Sequence, residues 1–177
     1  MAAASNNRFL GKFRGRVTAN DDPMGIGRLM VQVPDVLGDT PSTWALPCFP
    51  FTGEQQSPAG QYVVPSVGAG VWVEFEQGDP SFPVWTGCWY GSRAELPEDA
   101  RADPAISHPV VIQTPKKHKI VMSDVPTNGI LLEAPGGAYV RIDATGVHIN
   151  NGHGASISLV GDQVDINEGR LTIPKKH

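Results

Sequence analysis

The sequence predicts an all-β protein in two parts: a small closed barrel, then a needle in the form of a β-prism built from three chains. Two observations carry this. Over residues 110–177 apolar side chains recur in pairs two residues apart, and the pairs follow one another at steps of seven or ten. Before them lie five strand-like runs with no helical period, separated by turn clusters in a chain with 20 Gly and 16 Pro. A spacing of two is the side-chain period of a strand, and Gly and Pro in such numbers favour turns over long helices.

Taken in order, residues 1–9 are a small polar arm. The barrel is expected over 10–92. Phe13, Gly15 and Val17 alternate with Arg14 and Arg16, a half-buried strand with a basic outer face. Asn20-Asp21-Asp22-Pro23 is a turn cluster, and Leu29, Val31 and Val33 mark a second strand stopped by Pro34. Residues 35–43 read as a polar loop, 44–51 as an aromatic third strand, and 52–61 as a second loop. A fourth strand lies within 62–76, with Val71, Val73 and Phe75 in phase, and a fifth runs over 83–90. Five short strands in this space suit an OB-type barrel filled by its own side chains. Residues 93–109 are a Pro/Glu/Ala-rich linker.

The pairs of the needle are Val110/Ile112, Ile120/Met122, Ile130/Leu132, Val140/Ile142, Val147/Ile149, Ile157/Leu159, Val164/Ile166 and Leu171/Ile173. A glycine precedes six of them closely, as a corner with positive φ requires. Two inward residues per strand are too few for a single-chain core, so the face must stack on something. Three chains meeting on an axis solve this, and the members of these pairs from Ile120 to Ile173 are the expected trimer core. An antiparallel meander packed on a neighbouring domain is the plainer alternative. At ~4.8 Å per layer the needle should be roughly 35–40 Å long.

Further residues carry a resemblance. Gly15-Arg16-Val17, Gly27-Arg28-Leu29-Met30-Val31-Gln32-Val33-Pro34 and Trp44-Ala45 are followed by the run from Pro65 to Pro80 (PSVGAGVWVEFEQGDP), and Pro83 to Gly91 (PVWTGCWYG) closes the block. Over 10–92 these resemble the OB domain of contractile-tail central spikes: phage baseplate assembly protein V, the valine-glycine repeat spikes of type VI secretion, and spikes of extracellular injection systems. The resemblance implies a trimeric β-helix after the barrel, where the pair ladder stands. It implies a structural, non-enzymatic protein that forms a homotrimeric spike of a phage tail, tailocin or injection particle and punctures an envelope when the sheath contracts. Residues 93–109 are too short for the lysozyme domain some members insert there. With no hub domain fused ahead of the barrel, a separate hub protein is expected around it, contacting Arg14, Arg16, Glu74 and Glu76. A tip protein of the proline-alanine-alanine-arginine (PAAR) class is expected at the C-terminal end, against Leu171, Ile173, Lys175, Lys176 and His177.

Other chemistries were weighed on the residues. Glu74 and Glu76 share the outer face expected of the fourth strand, where a solvated or partner-contacting face is the plain reading and a glycosidase pair the remote one. No catalytic residue is assigned. No cofactor and no metal are expected: an axial metal needs two histidines in the inward phase, whereas His148 points outward, His153 sits in a corner and only His118 shares the phase of Ile120. Cys48 and Cys88 are too few for a disulfide framework or zinc site and are expected as buried free thiols. The formal net charge of −4 and the lack of a basic segment argue against nucleic acid. An OB module stacking single-stranded nucleic acid on Trp72, Trp85 or Trp89 is nevertheless the leading alternative. No run is apolar enough to span a membrane, which would be touched only transiently, and the polar start lacks a signal-peptide pattern, so assembly in the cytoplasm is expected.

Overall fold

The computed structural model describes residues 8–101, 108–125 and 128–174. It divides into two units, 1–92 and 93–177.

In the first unit β1 (Phe13–Ala19), β2 (Met30–Gln32), α1 (Pro34–Leu37) and β3 (Leu46–Pro47) are followed by a hairpin of β4 (Thr52–Glu54) and β5 (Ser57–Gly60). β6 (Gly70–Phe75) and β7 (Pro83–Trp89) complete it. The main sheet runs β2-β1-β6-β7-β3. Its two edges are joined where Leu29 and Ala45 exchange both backbone hydrogen bonds, at 3.1 and 2.7 Å, which curls the sheet into the expected barrel. Alternation explains the filling: Val17, Leu29, Val31, Val33, Ala45, Val71, Val73, Phe75 and Trp85 form one buried cluster. Trp85 enters it because its indole N–H has a partner, the Gly27 carbonyl at 3.0 Å.

The turn cluster at 20–23 is organised by Asp22. Its carboxylate accepts from the backbone N–H groups of Met24, Ile26 and Arg28 and from Arg28 Nε, and the Arg28 guanidinium lies 5.4 Å from the Trp44 ring. The Arg28 hydrogen bond is the main reason its pKa lies well below the usual carboxylate range.

Several expectations are corrected here. The 52–61 loop is mostly a hairpin, and 35–37, the start of the loop expected over 35–43, join Pro34 in a turn of helix that this proline opens at its first position. The third strand has only two ladder residues. Glu76 is not on the face of β6: the strand ends at Phe75, and Glu76 opens a 3-10 turn. Both cysteines are exposed. Cys48 follows the two-residue β3, and Cys88 lies beyond the bulge that shifts the β6–β7 register between Trp72 and Val73.

In the second unit, 93–95 form a 3-10 turn and α2 (Glu98–Arg101) follows. An eight-stranded antiparallel meander comes next: β8 (Val110–Gln113), β9 (Lys119–Met122), β10 (Ile130–Glu133), β11 (Ala138–Asp143), β12 (Gly146–Asn151), β13 (Ser156–Val160), β14 (Gln163–Ile166) and β15 (Leu171–Pro174). Each strand pairs only with its neighbours in sequence, so the layers are stacked hairpin by hairpin within one chain. Seven inter-strand spacings give a ladder about 34 Å long. Two corners show why glycine is needed: a Cβ at Gly129 would lie 2.0 Å from the Ile142 carbonyl oxygen, and one at Gly146 (φ +152°) 1.9 Å from that of Leu159.

The expected linker is partly structured. Lys119 Nζ is 2.9 Å from Asp99 Oδ2 and 3.3 Å from Glu133 Oε2, so α2 is tied to the β9–β10 side of the sheet. Residues 1–7, 102–107 and the tip calls Lys175, Lys176 and His177 lie outside the described residues.

Candidate functional site

The meander has two unlike faces, and hairpin register makes them so. The ladder aligns Val110, Met122, Ile130, Ile142, Val147, Leu159, Val164 and Ile173 in one column. It aligns Ile112, Ile120, Leu132, Val140, Ile149, Ile157, Ile166 and Leu171 in the other. The eight sequence pairs are therefore in register, pair against pair. A single register slip anywhere would send one pair to the opposite side.

Within its own unit, no described residue covers this face. Eleven of its side chains, from Ile157 at 39% to Ile112 at 58%, are exposed. Together they present on the order of 900 Å² of surface, well beyond the largest apolar patch of an ordinary monomer and near one partner's share of a standard interface. Toward one edge the face narrows to small or polar residues: Thr114 opposite His118 and Ala134 opposite Ala138. His118 thus lies on the apolar side, as its phase suggests.

The opposite face carries the column Val111, Val121, Leu131, Arg141, His148, Ser158 and Asp165. It is apolar where the 93–101 segment lies, with Val121 6% exposed, and polar from Arg141 onward. His148 belongs here, away from the apolar columns. Its Nδ1 is 3.2 Å from Ser158 Oγ and its Nε2 is 2.9 Å from Thr145 Oγ1. Asp143 is 3.7 Å from Nε2. Sequence reasoning missed this row, which only the register assembles. It places serine, histidine and aspartate in line, but the Asp143 carboxylate is taken by the Thr145 hydroxyl and backbone N–H and by Arg141 Nε at 2.7 Å. Those hydrogen bonds from Thr145, then the charges of Arg141 and His148, hold the Asp143 pKa down to about 2. The arrangement braces a hairpin turn.

On the barrel, Lys12, Arg14 and Arg16 face outward beside Trp72, Glu74 and Trp89. Arg14 stands 5.7 and 5.3 Å from the Trp72 and Trp89 rings, and Arg16 5.4 Å from Trp89. Lys12 Nζ is 2.7 Å from Glu74 Oε1 and 2.9 Å from Thr86 Oγ1. The structure thus brings three of the four expected hub-contact residues onto one face, with two tryptophans, and leaves Glu76 apart in its turn.

Barrel and uncovered apolar ladder define the class: an oligomeric all-β spike whose needle face is completed by other chains. Comparison with known families agrees. Residues 13–90 match the type VI secretion system/phage-baseplate injector OB domain, and residues 109–172 match the phage baseplate V C-terminal trimerisation domain. The chain belongs to the phage baseplate V spike family and is a structural, homotrimeric component of a phage tail or injection-particle baseplate. No curated protein matched the chain.

Proposed function

We propose that the trimer is the piercing element at the centre of the baseplate and is driven through an envelope when the sheath contracts. The observation that carries this is the apolar face running unbroken across all eight strands. Closed three ways, it becomes a dry core along the whole shaft. Each strand edge inside the ladder is already paired to the next layer of its own chain, which suits a body that must bear load without fraying. The role asked of the chain is mechanical and non-enzymatic, and assembly would take place in the cytoplasm before the particle leaves the cell.

A hub protein would grip the Arg14–Trp72–Trp89–Arg16 face of the barrel, where rigid aromatic and guanidinium groups offer an anchor of the kind that dominates interfaces. A PAAR-type tip would cap β15, whose outer edge has no strand beside it among the described residues. The nucleic-acid reading is weaker on this geometry, because arginines already occupy the Trp72 and Trp89 rings that bases would need.

The test is particle function with a chain ending at residue 160, which loses β14 and β15 with the end of the shaft but keeps six strands of the trimer core. Such particles are expected to assemble and contract yet fail to release dye from target-membrane vesicles. Vesicle rupture equal to that of intact particles would refute the piercing role.

A further inference from the structure

The two lateral edges of the needle sheet carry opposite charge. Because the sheet is a meander, its turns fall into two rows. One row joins β8 to β9, β10 to β11, β12 to β13 and β14 to β15. Its turns hold Lys116, Lys117 and Arg170 against one carboxylate, Glu168, together with His118 and His153; Glu98, Asp99 and Glu133 also lie around Lys117, and Lys119 pairs with the last two. The other row joins β9 to β10, β11 to β12 and β13 to β14. Apart from Asp143, which is held by Arg141 and Thr145 inside the chain, its charges are Asp124 and Asp162. Lys116, Lys117, Asp124, Asp162 and Arg170 are exposed, and none makes a salt bridge within the chain among the described residues.

We infer that these rows are the two halves of the seam between neighbouring chains of the trimer, and that their charges select the cyclic arrangement. The inference rests on the trimeric reading above. In a threefold ring every interface is heterologous, so one edge of each sheet meets the other edge of the next. Basic row therefore meets acidic row at all three corners, whereas any pairing of like edges sets cation against cation or carboxylate against carboxylate. Height agrees as well. Rotation about an axis along the ladder leaves the level of each turn unchanged. The turns of the two rows alternate by one strand, so Lys116 and Lys117 lie one layer, ~4.8 Å, from the level of Asp124, and Arg170 the same from Asp162. Long cationic side chains span that step. Within a single chain the same partners sit at opposite ends of a strand, about 20 Å apart and well beyond the ~8 Å screening length of physiological salt, so their attraction is felt only across the seam.

Charge reversal tests this. One variant carries Lys116→Glu, Lys117→Glu and Arg170→Glu; a second carries Asp124→Lys and Asp162→Lys; a third carries all five. Sedimentation and native mass are read at low and high salt. Either single-row variant is expected to lose roughly a hundredfold in trimer affinity, because two pairs at each of three corners turn repulsive. The five-fold variant, with its seam inverted, should recover most of that loss, and 1 M salt should shrink every difference. Single-row variants as trimeric as the wild type, or losses that merely add in the combined variant, would overturn the seam. A wild-type chain that sediments as a monomer would instead overturn the trimeric reading on which it rests.

Discussion

Replacing Ile157 by Asp is the sharpest probe of the needle. Ile157 lies in the middle of β13, aligned with Ile149 on one side and Ile166 on the other. It is 39% exposed in the single chain, which leaves roughly 70 Å² to bury on assembly, about 1.8 kcal/mol per chain and about 5 kcal/mol per trimer. Ile157→Asp forfeits that area and brings three carboxylates to one level of a closing apolar core. Desolvating each costs several kcal/mol, and no cation shares the two columns to offset it. The total exceeds about 10 kcal/mol, comparable with the whole free energy of a nanomolar complex. The variant is expected to sediment as a monomer at micromolar concentration and to regain trimer in part when acid neutralises the carboxylate. Ser158→Asp is the control: one residue along, on the opposite face, with the His148 ring beside it. It should assemble normally. An Ile157→Asp trimer with unchanged melting, alongside a Ser158→Asp chain that fails to assemble, would mean the faces are reversed.

Three further outcomes follow from named contacts. Thr145→Val removes the hydroxyl that contributes most to the low Asp143 pKa, so that pKa should rise from about 2 toward the ordinary value when followed by NMR titration. Because Asp143 is depressed in the folded chain, its stabilisation is complete above an unfolded value of ~3.9 and is lost as pH falls toward about 2. Acid melting curves should therefore separate the wild type from Thr145→Val at neutral pH and converge below pH ~2. Gly146→Ala drives a Cβ into the Leu159 carbonyl oxygen at a turn, and should lower thermal stability by several kcal/mol, against well under 1 kcal/mol for alanine at the open Gly136. Deleting residues 171–177 removes β15 and should leave a trimer that no longer retains a tip protein in purified particles; tips retained at wild-type occupancy would refute the capping role.

The needle was legible because its signal is local. A period of two survives in each four- to six-residue strand, and the steps of seven or ten between pairs bring the pairs into register. The barrel core was legible for the same reason, from Val17 through Leu29, Val31 and Val33 to Val71, Val73 and Phe75. Strand ends were less so: Glu76 follows Phe75 in perfect alternation, yet the chain turns there, since only the β6–β7 ladder and its 3-10 turn decide where the strand stops. The exposure of Cys88 depends on a bulge between Trp72 and Val73, which no alternation of residue types records.

What the sequence determined by itself is the set of apolar positions that must be covered, and hence the class of protein, because period and spacing are properties of neighbours along the chain. Tertiary structure alone decided what meets across strands. The antiparallel register places Arg141, His148, Ser158 and Asp165 in one column from four separate strands. The docked 93–101 segment joins Asp99 to Lys119 and Glu133, residues far apart in the chain. The meander sorts the turns into a basic and an acidic edge, an order invisible along a chain in which the two kinds of turn simply alternate.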